Sequence, residues 1–180
     1  MTLSFPARVM LAAAMNPCPC GYFGDPLRAC SCTAALVRHY LARVSGPLLD
    51  RIDLHLEVSA VRYRELSDER SGEESAAIRE RVARSRARQQ ERFALRRGVF
   101  ANAHMAPRDI RACCRLSAAA DAILRTAIAR LGLSARAYHR VLKMARTIAD
   151  LAGAAAIEPA HVGEAIQYRT LDRTGGPGGS

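Results

Sequence analysis

The chain has 180 residues, a net charge of +10 and 49% apolar residues, with aromatics at 5% and no Trp. That length fits one domain, or one domain with an appendage, and the composition predicts a core of Ala, Leu, Val and Ile. Nearly all the positive charge is Arg, because Lys143, between Leu142 and Met144, is the only lysine. A Walker A loop, G-x-x-x-x-G-K-[ST], needs its lysine to reach the terminal phosphates, so this sequence holds none. The usual Walker B strand end, four apolar residues followed by Asp-Glu, is missing as well. ATP hydrolysis by this chain alone is therefore not expected. The longest apolar run, Val9 to Met15, falls far short of the roughly 20 residues needed to cross a bilayer. With Arg8 before it, this run weakly mimics a signal peptide, but Asn16-Pro17-Cys18-Pro19 is a poor cleavage zone. A cytoplasmic protein with no membrane partner is expected.

Residues 7–15 predict a buried strand that stops at Asn16-Pro17. Residues 17–32 form a loop rich in Cys, Pro and Gly. Thr33 caps a helix running to Val44, with Leu36, Val37, Tyr40 and Leu41 on one face, and Ser45-Gly46-Pro47 ends it. Ile52, Leu54, Leu56 and Val58 alternate with Asp53, His55 and Glu57, the period of a strand. A polar connection, 59–72, leads to a strongly basic helix from Glu73 to about Arg97. The rest predicts helices only. One follows Pro107; one runs from Ser117 to Leu131 and ends at Gly132. Another is capped by Ser134 and stopped by Gly153, with a stripe of Tyr138, Val141, Leu142, Ala145, Ile148 and Ala152. The last starts at Pro159. The tail 173–180 predicts disorder. Two strands cannot make a stable sheet alone, which suggests the back part of something larger.

Five features could carry chemistry. Cys18, Cys20, Cys30 and Cys32 lie within fifteen residues, close enough to wrap one tetrahedral Zn²⁺; the alternative is four reduced, unliganded thiols. Cys113 and Cys114 are adjacent and are expected to be partly buried thiols. Asn16 closes a strand, where open α/β sheets place groups that contact ligands, or else simply turns the chain with Pro17. Arg51, after Gly46-Pro-Leu-Leu-Asp and before a strand, could neutralise charge on a neighbouring subunit's γ-phosphate, or could pair with Asp50 or Asp53. Arg136, in the first turn of a helix capped by Ser134, adds a full charge to an end that already favours anions; alternatively it is only solvated. Arg81, Arg84, Arg88 and Arg92 share one helix face, and the stretch Ile78–Arg97 carries eight Arg against two Glu. Nucleic-acid phosphates suit that face, though a plain solvated surface fits it too. The five histidines form no metal-ligand spacing.

The segments FPARVMLAAAMNPCPCGYFGDPLRACSC, SGPLLDRIDLHLEV, LSARAYHRVLKMARTIADLAG and HVGEAIQYR, in this order, resemble the magnesium-chelatase-like AAA+ ATPases of the ComM (YifB) group. The cysteine loop between strand-Asn-Pro and LLDR favours that branch over a chelatase subunit. The resemblance implies an α/β fragment, the last strands of an AAA+ core, in residues 1–60 with the cysteine loop at 17–32. A basic helical connection (61–106) and an all-α lid subdomain (107–172) would follow, making the chain mostly helical overall. It implies Asn16 as sensor 1, Arg51 as the arginine finger and Arg136 as sensor 2, acting across a subunit interface. The implied activity is that of a hexameric, ATP-driven motor for DNA branch migration in natural transformation. ATP and Mg²⁺ would enter only through a complete partner or a missing N-terminal half, because the Lon-protease-like domain and both Walker motifs are lacking. The chain then reads as a C-terminal portion, from a truncated gene, a misassigned start or a two-chain arrangement. The competing readings are a non-enzymatic, zinc-stapled basic module that binds nucleic acid, and an inactive remnant.

Overall fold

The computed structural model describes residues 3, 9–58 and 72–169, and the chain divides into two compact units, Met1–Arg43 and Val44–Ser180. Residues 59–71 of the polar connection and the whole tail 173–180 lie outside the described residues, as do the first two residues of the expected strand 7–15.

The smaller unit is the cysteine loop followed by helix α1 (Ala34–Leu41). Thr33 caps it as expected, its hydroxyl accepting from the Leu36 N–H at 3.3 Å, and the helix stops three residues short of Val44. Cys18 and Val37 are the unit's buried apolar residues among those described. A segment this small cannot bury enough surface to hold itself together, and such units ordinarily lean on a metal or disulfides.

The larger unit begins with a one-turn helix, α2 (Gly46–Leu49), where the sequence reading saw only a terminator. Ser45 caps it, and Pro47 is tolerated because the first turn has no use for its missing N–H. Then come α3 (Ser75–Arg92), a 3₁₀ turn (Asn102–His104), α4 (Pro107–Cys113), α5 (Ala118–Leu131), α6 (Ala135–Leu151) and α7 (Pro159–Gln167). Ser117 and Ser134 cap α5 and α6 with hydroxyls that accept from Ala120 and Ala137, each cap adding about 1 kcal/mol. Gly132 ends α5 at φ +60°, a left-handed conformation that a residue with a Cβ would resist. Helix α6 is the hub, packed against α3, α4 and α7, while α5 packs on α7. Its Val141, Leu142, Ala145 and Ala149 are buried with Leu124, Ile157, Val162 and Ala165. The alanines let the helices approach closely, so a core poor in aromatics still fills its space.

Residues 9–15 and 52–58 do not form the expected strands. Among the described residues there is no strand, only one isolated parallel bridge, Leu116–Ile157. Val9, Met10 and Leu11 are 85%, 95% and 78% exposed, so residues 9–15 are not buried. In 52–58 the apolar pattern is also reversed: Leu54, Leu56 and Val58 are exposed while His55 is buried. The reason is a backbone contact from far along the chain. The His55 N–H donates to the Tyr168 carbonyl at 2.9 Å, and its Nε2 lies 3.2 Å from the Leu49 carbonyl. Without a ladder partner, those backbone bonds decide which face is covered.

The stripe of α6 also holds two charges that the apolar pattern concealed. Arg146 and Asp150, one turn apart, are 4% and 2% exposed. Asp150 accepts two bonds from Arg92 (2.5 and 2.7 Å), one from Asn102 (2.8 Å) and one from Arg146 (3.1 Å). Arg146 in turn donates to the Ala154 and Ala155 carbonyls, both at 2.8 Å. Asn102 reaches Thr147, and its N–H meets the Gln89 side chain at 2.9 Å. The network fastens α3 to α6 through the 3₁₀ turn. Burial opposes ionisation of Asp150, but the bonds from Arg92 and Asn102 and the two guanidinium charges outweigh it and hold the carboxyl below its ordinary range. Since the folded pKa is depressed, this stability is present above the unfolded value near 3.8 and lost as pH falls below it. Asp150→Ala leaves two guanidinium groups without their partner and is expected to cost about 3–5 kcal/mol. Urea unfolding checks it; a loss under 1 kcal/mol contradicts the network's role.

Candidate functional site

Asp50 lies between the end of α2 and the start of α6, and four arginines gather round the segment it opens. Its carboxylate meets Ser134 Oγ at 3.2 Å, Arg136 Nη1 at 3.5 Å and Arg169 Nη2 at 3.7 Å. Arg140, one turn beyond Arg136, pairs with Asp53 at 2.6 Å and donates to the Arg51 carbonyl. Arg169, 1% exposed, donates to the Ile52 carbonyl and reaches that of Asp50. Segment 50–55 is thus held by α6 and by the residues just after α7.

Two of the singled-out arginines therefore share this edge. Arg51 is exposed, its Nη1 donating to the Pro47 carbonyl at 3.2 Å, and it forms no ion pair with a described residue. Arg136 is 55% exposed despite its contact with Asp50. The exposed guanidinium groups of Arg51 and Arg136 present positive charge on this edge, where an anion could meet both. The sequence reading missed Arg140 and Arg169. The spacing of four between Arg136 and Arg140 was a visible signal for the first; nothing local marks the second.

In the smaller unit Asn16 is exposed, with its amide nitrogen 3.9 Å from where a side chain at Gly21 would begin. Gly21, at φ +85°, reverses the chain there, and its N–H returns to the Cys18 carbonyl at 3.0 Å. The turn brings Cys18, Cys20, Cys30 and Cys32 together, with Sγ atoms all within 4.8 Å of one another. Individual separations are 3.3 Å (18–20), 3.5 Å (20–30) and 3.7 Å (18–30). These are too long for disulfides, and they lie just under the spacing of about 3.8 Å implied by four sulfurs roughly 2.3 Å from one tetrahedral metal. The quartet can hold a metal ion. Cys20 is the readiest thiolate: N–H groups of Tyr22 and Ser31 hold it at about 5 against the pull of desolvation. Cys30 receives the Cys32 N–H, yet desolvation and the thiols of Cys20 and Cys18 push it up to about 12. Close thiolates repel, and a divalent cation is what lets all four ionise together. Cys113 and Cys114 are free thiols, with Cys114 buried and pushed up to about 12 by that burial.

The basic face of α3 is more divided than its spacing suggested. Arg81 forms two bonds to Glu73 (2.6 and 2.9 Å), and Arg84 pairs with Glu80 at 2.5 Å. Arg92 leaves the face altogether, since Asp150 takes its guanidinium; it belongs to the polar core, not to a phosphate surface. Arg88 remains exposed, together with Arg79, Arg86 and Arg97, and none of the four pairs with a described acid. No helix among the described residues is long and apolar enough to cross a membrane.

Residues 1–66 match the family described as magnesium chelatase, subunit ChlI, and residues 72–169 its C-terminal counterpart. The chain belongs to the magnesium chelatase subunit ChlI family. It is 41% identical over 172 residues to Competence protein ComM of Haemophilus influenzae, covering 95% of this chain and 32% of that protein. To YifB of Salmonella typhimurium it is 42% identical over 173 residues (95% and 33%), and to YifB of Escherichia coli 40% over 173 residues (95% and 33%). The chain thus spans about a third of the length of the curated relatives it matches.

Proposed function

We propose that this chain supplies the trans-acting arginines and the helical lid of an AAA+ ATPase that works on DNA. The observation that carries the reading is the edge around Asp50, where Arg51 and Arg136 are both exposed on one positively charged patch. Arg51 would lend its charge to the transferring phosphoryl group of ATP held by the adjoining subunit, and Arg136 would steady the same phosphates. Asn16 would orient the attacking water in its own subunit's site. Mg²⁺ and the triphosphate would be held by Walker A and Walker B residues, which this sequence does not contain. Residues 9–15 and, separately, 52–58 would each find a strand partner in the complete core, which accounts for their exposed apolar side chains. A closed ring follows from the requirement that each subunit complete its neighbour's site, and six subunits is the number that the resemblance to AAA+ ATPases implies. Natural transformation is the setting suggested by the competence name of the Haemophilus relative. The test is Mg²⁺-dependent ATP turnover by a chimera in which this chain replaces the matching segment of ComM, with and without Arg51.

Zn²⁺ is the metal best suited to the four cysteines, because four thiolates close its tetrahedral shell and leave no open position for catalysis. It would staple the loop that follows Asn16.

The DNA contact falls to the unpaired arginines of α3. A variant with Arg79, Arg86 and Arg88 changed to alanine should bind duplex DNA more weakly at every sequence. Its salt dependence should also be shallower by about one unit of log–log slope per arginine lost. Fluorescence anisotropy across a salt series measures both; equal slopes for variant and wild type contradict this assignment.

A further inference from the structure

We infer that Arg140 is a positioning residue that locks the Arg51 segment to the helix bearing Arg136, so that the two arginines travel as one body. The inference rests on the reading of Arg51 as an arginine finger and adds the part that aims it. Arg140 Nη1 donates to the backbone carbonyl of Arg51 itself and pairs with Asp53 Oδ1 at 2.6 Å. It therefore grips the segment at the Arg51 carbonyl and again two residues further on, at the Asp53 side chain. Its own side chain is only 20% exposed, whereas Asp53 is 66% exposed, so the charge in this contact belongs to a side chain largely withdrawn from water. Arg136 lies one turn earlier on the same face of α6, and its partner Asp50 is the residue before Arg51. Arg51's guanidinium has only one described bond, to the Pro47 carbonyl, and is free to swing out from a fixed Cα. The backbone of the finger is thus held by the lid helix while its charged end stays mobile. A displacement of α6 carries both charges the same way, and loss of the Arg140 grip uncouples them.

Misplacing a charge-stabilising group by about 1 Å can cost up to a hundredfold in rate. In the ComM chimera, Arg140→Met keeps the aliphatic stem and removes the donors. It should lower kcat for ATP about tenfold with KM unchanged within about twofold, since the residue does not touch nucleotide. Arg140→Lys, which can still reach the carbonyl and Asp53, should recover most of the rate. If Arg140→Met does not fold, Asp53→Asn removes the exposed half of the same anchor and should lower kcat about threefold at constant KM. An unchanged kcat in the folded variant, in a chimera that Arg51→Ala silences, overturns the positioning role and leaves the finger intact. Hydrolysis that survives Arg51→Ala removes the finger reading first, and the positioning role with it.

Discussion

Arg51→Ala is expected to lower ATP turnover by the chimera about a thousandfold, with little change in KM. Arginine fingers are worth roughly that much because their charge meets negative charge that builds up only in the transition state. The structure gives this residue few other duties. Arg51 is exposed, forms no ion pair with a described residue, and its side chain makes a single bond to Pro47. Truncation should therefore leave the fold standing, and its thermal midpoint should match that of the wild type. The backbone of the segment stays fastened through Arg140 and Arg169, neither of which depends on the Arg51 side chain. Steady-state turnover with a coupled assay reads the effect. A loss below tenfold, in a protein that folds normally, contradicts the assignment.

The second large effect is the metal's. Protein purified without chelators is expected to carry one Zn²⁺ per chain, read by elemental analysis, and Cys18→Ser should abolish stoichiometric binding. Structural zinc contributes about 10–16 kcal/mol in small units that cannot fold without it. The Met1–Arg43 unit fits that description, with Cys18 and Val37 as its buried apolar residues among those described. Strong chelation should therefore melt α1 while the α3–α7 bundle remains, a partial loss of helicity visible by circular dichroism. The affinity should fall as pH is lowered, because binding requires four thiolates and Cys30 surrenders its proton only to a metal or to strong base. A ratio well below one metal per chain, or chelation without loss of helicity, contradicts the four-thiolate site.

What the sequence revealed and what it concealed follow from the range of the forces involved. Helix starts are local: Thr33, Ser117 and Ser134 each satisfy an N–H three residues away, and the sequence marks Thr33 and Ser134 as caps and Ser117 as a helix start. The Cys18–Cys32 cluster was legible for the same reason, since its reach is a single loop. The strand at 52–58 was drawn from alternation alone. Alternation states which residues could share a face, not whether another strand exists to pair with them, and His55 shows that a single backbone bond to Tyr168 can reverse the pattern. Arg92 was misplaced because helix spacing marks it as one of a row. Its partner Asp150 lies 58 residues away, and only packing brings the two together. Arg140 and Arg169 were overlooked on the same account. Their importance lies in holding the backbone of 50–53, a contact that no charge count along the chain reports. Asn16 is exposed at the start of the cysteine turn, without the buried strand expected to end at it.

The claim that Arg51 acts on a neighbour's nucleotide is tested most directly by mixing two inactive proteins. One is the chimera carrying Arg51→Ala with its Walker A lysine intact; the other keeps Arg51 but has that lysine replaced. If Arg51 works in trans, mixed assemblies contain sites with a sound phosphate cradle beside a sound arginine, and ATP hydrolysis returns on mixing to a substantial fraction of the wild-type rate. A mixture no more active than the sum of its two parts, in subunits shown to co-assemble, would contradict the account.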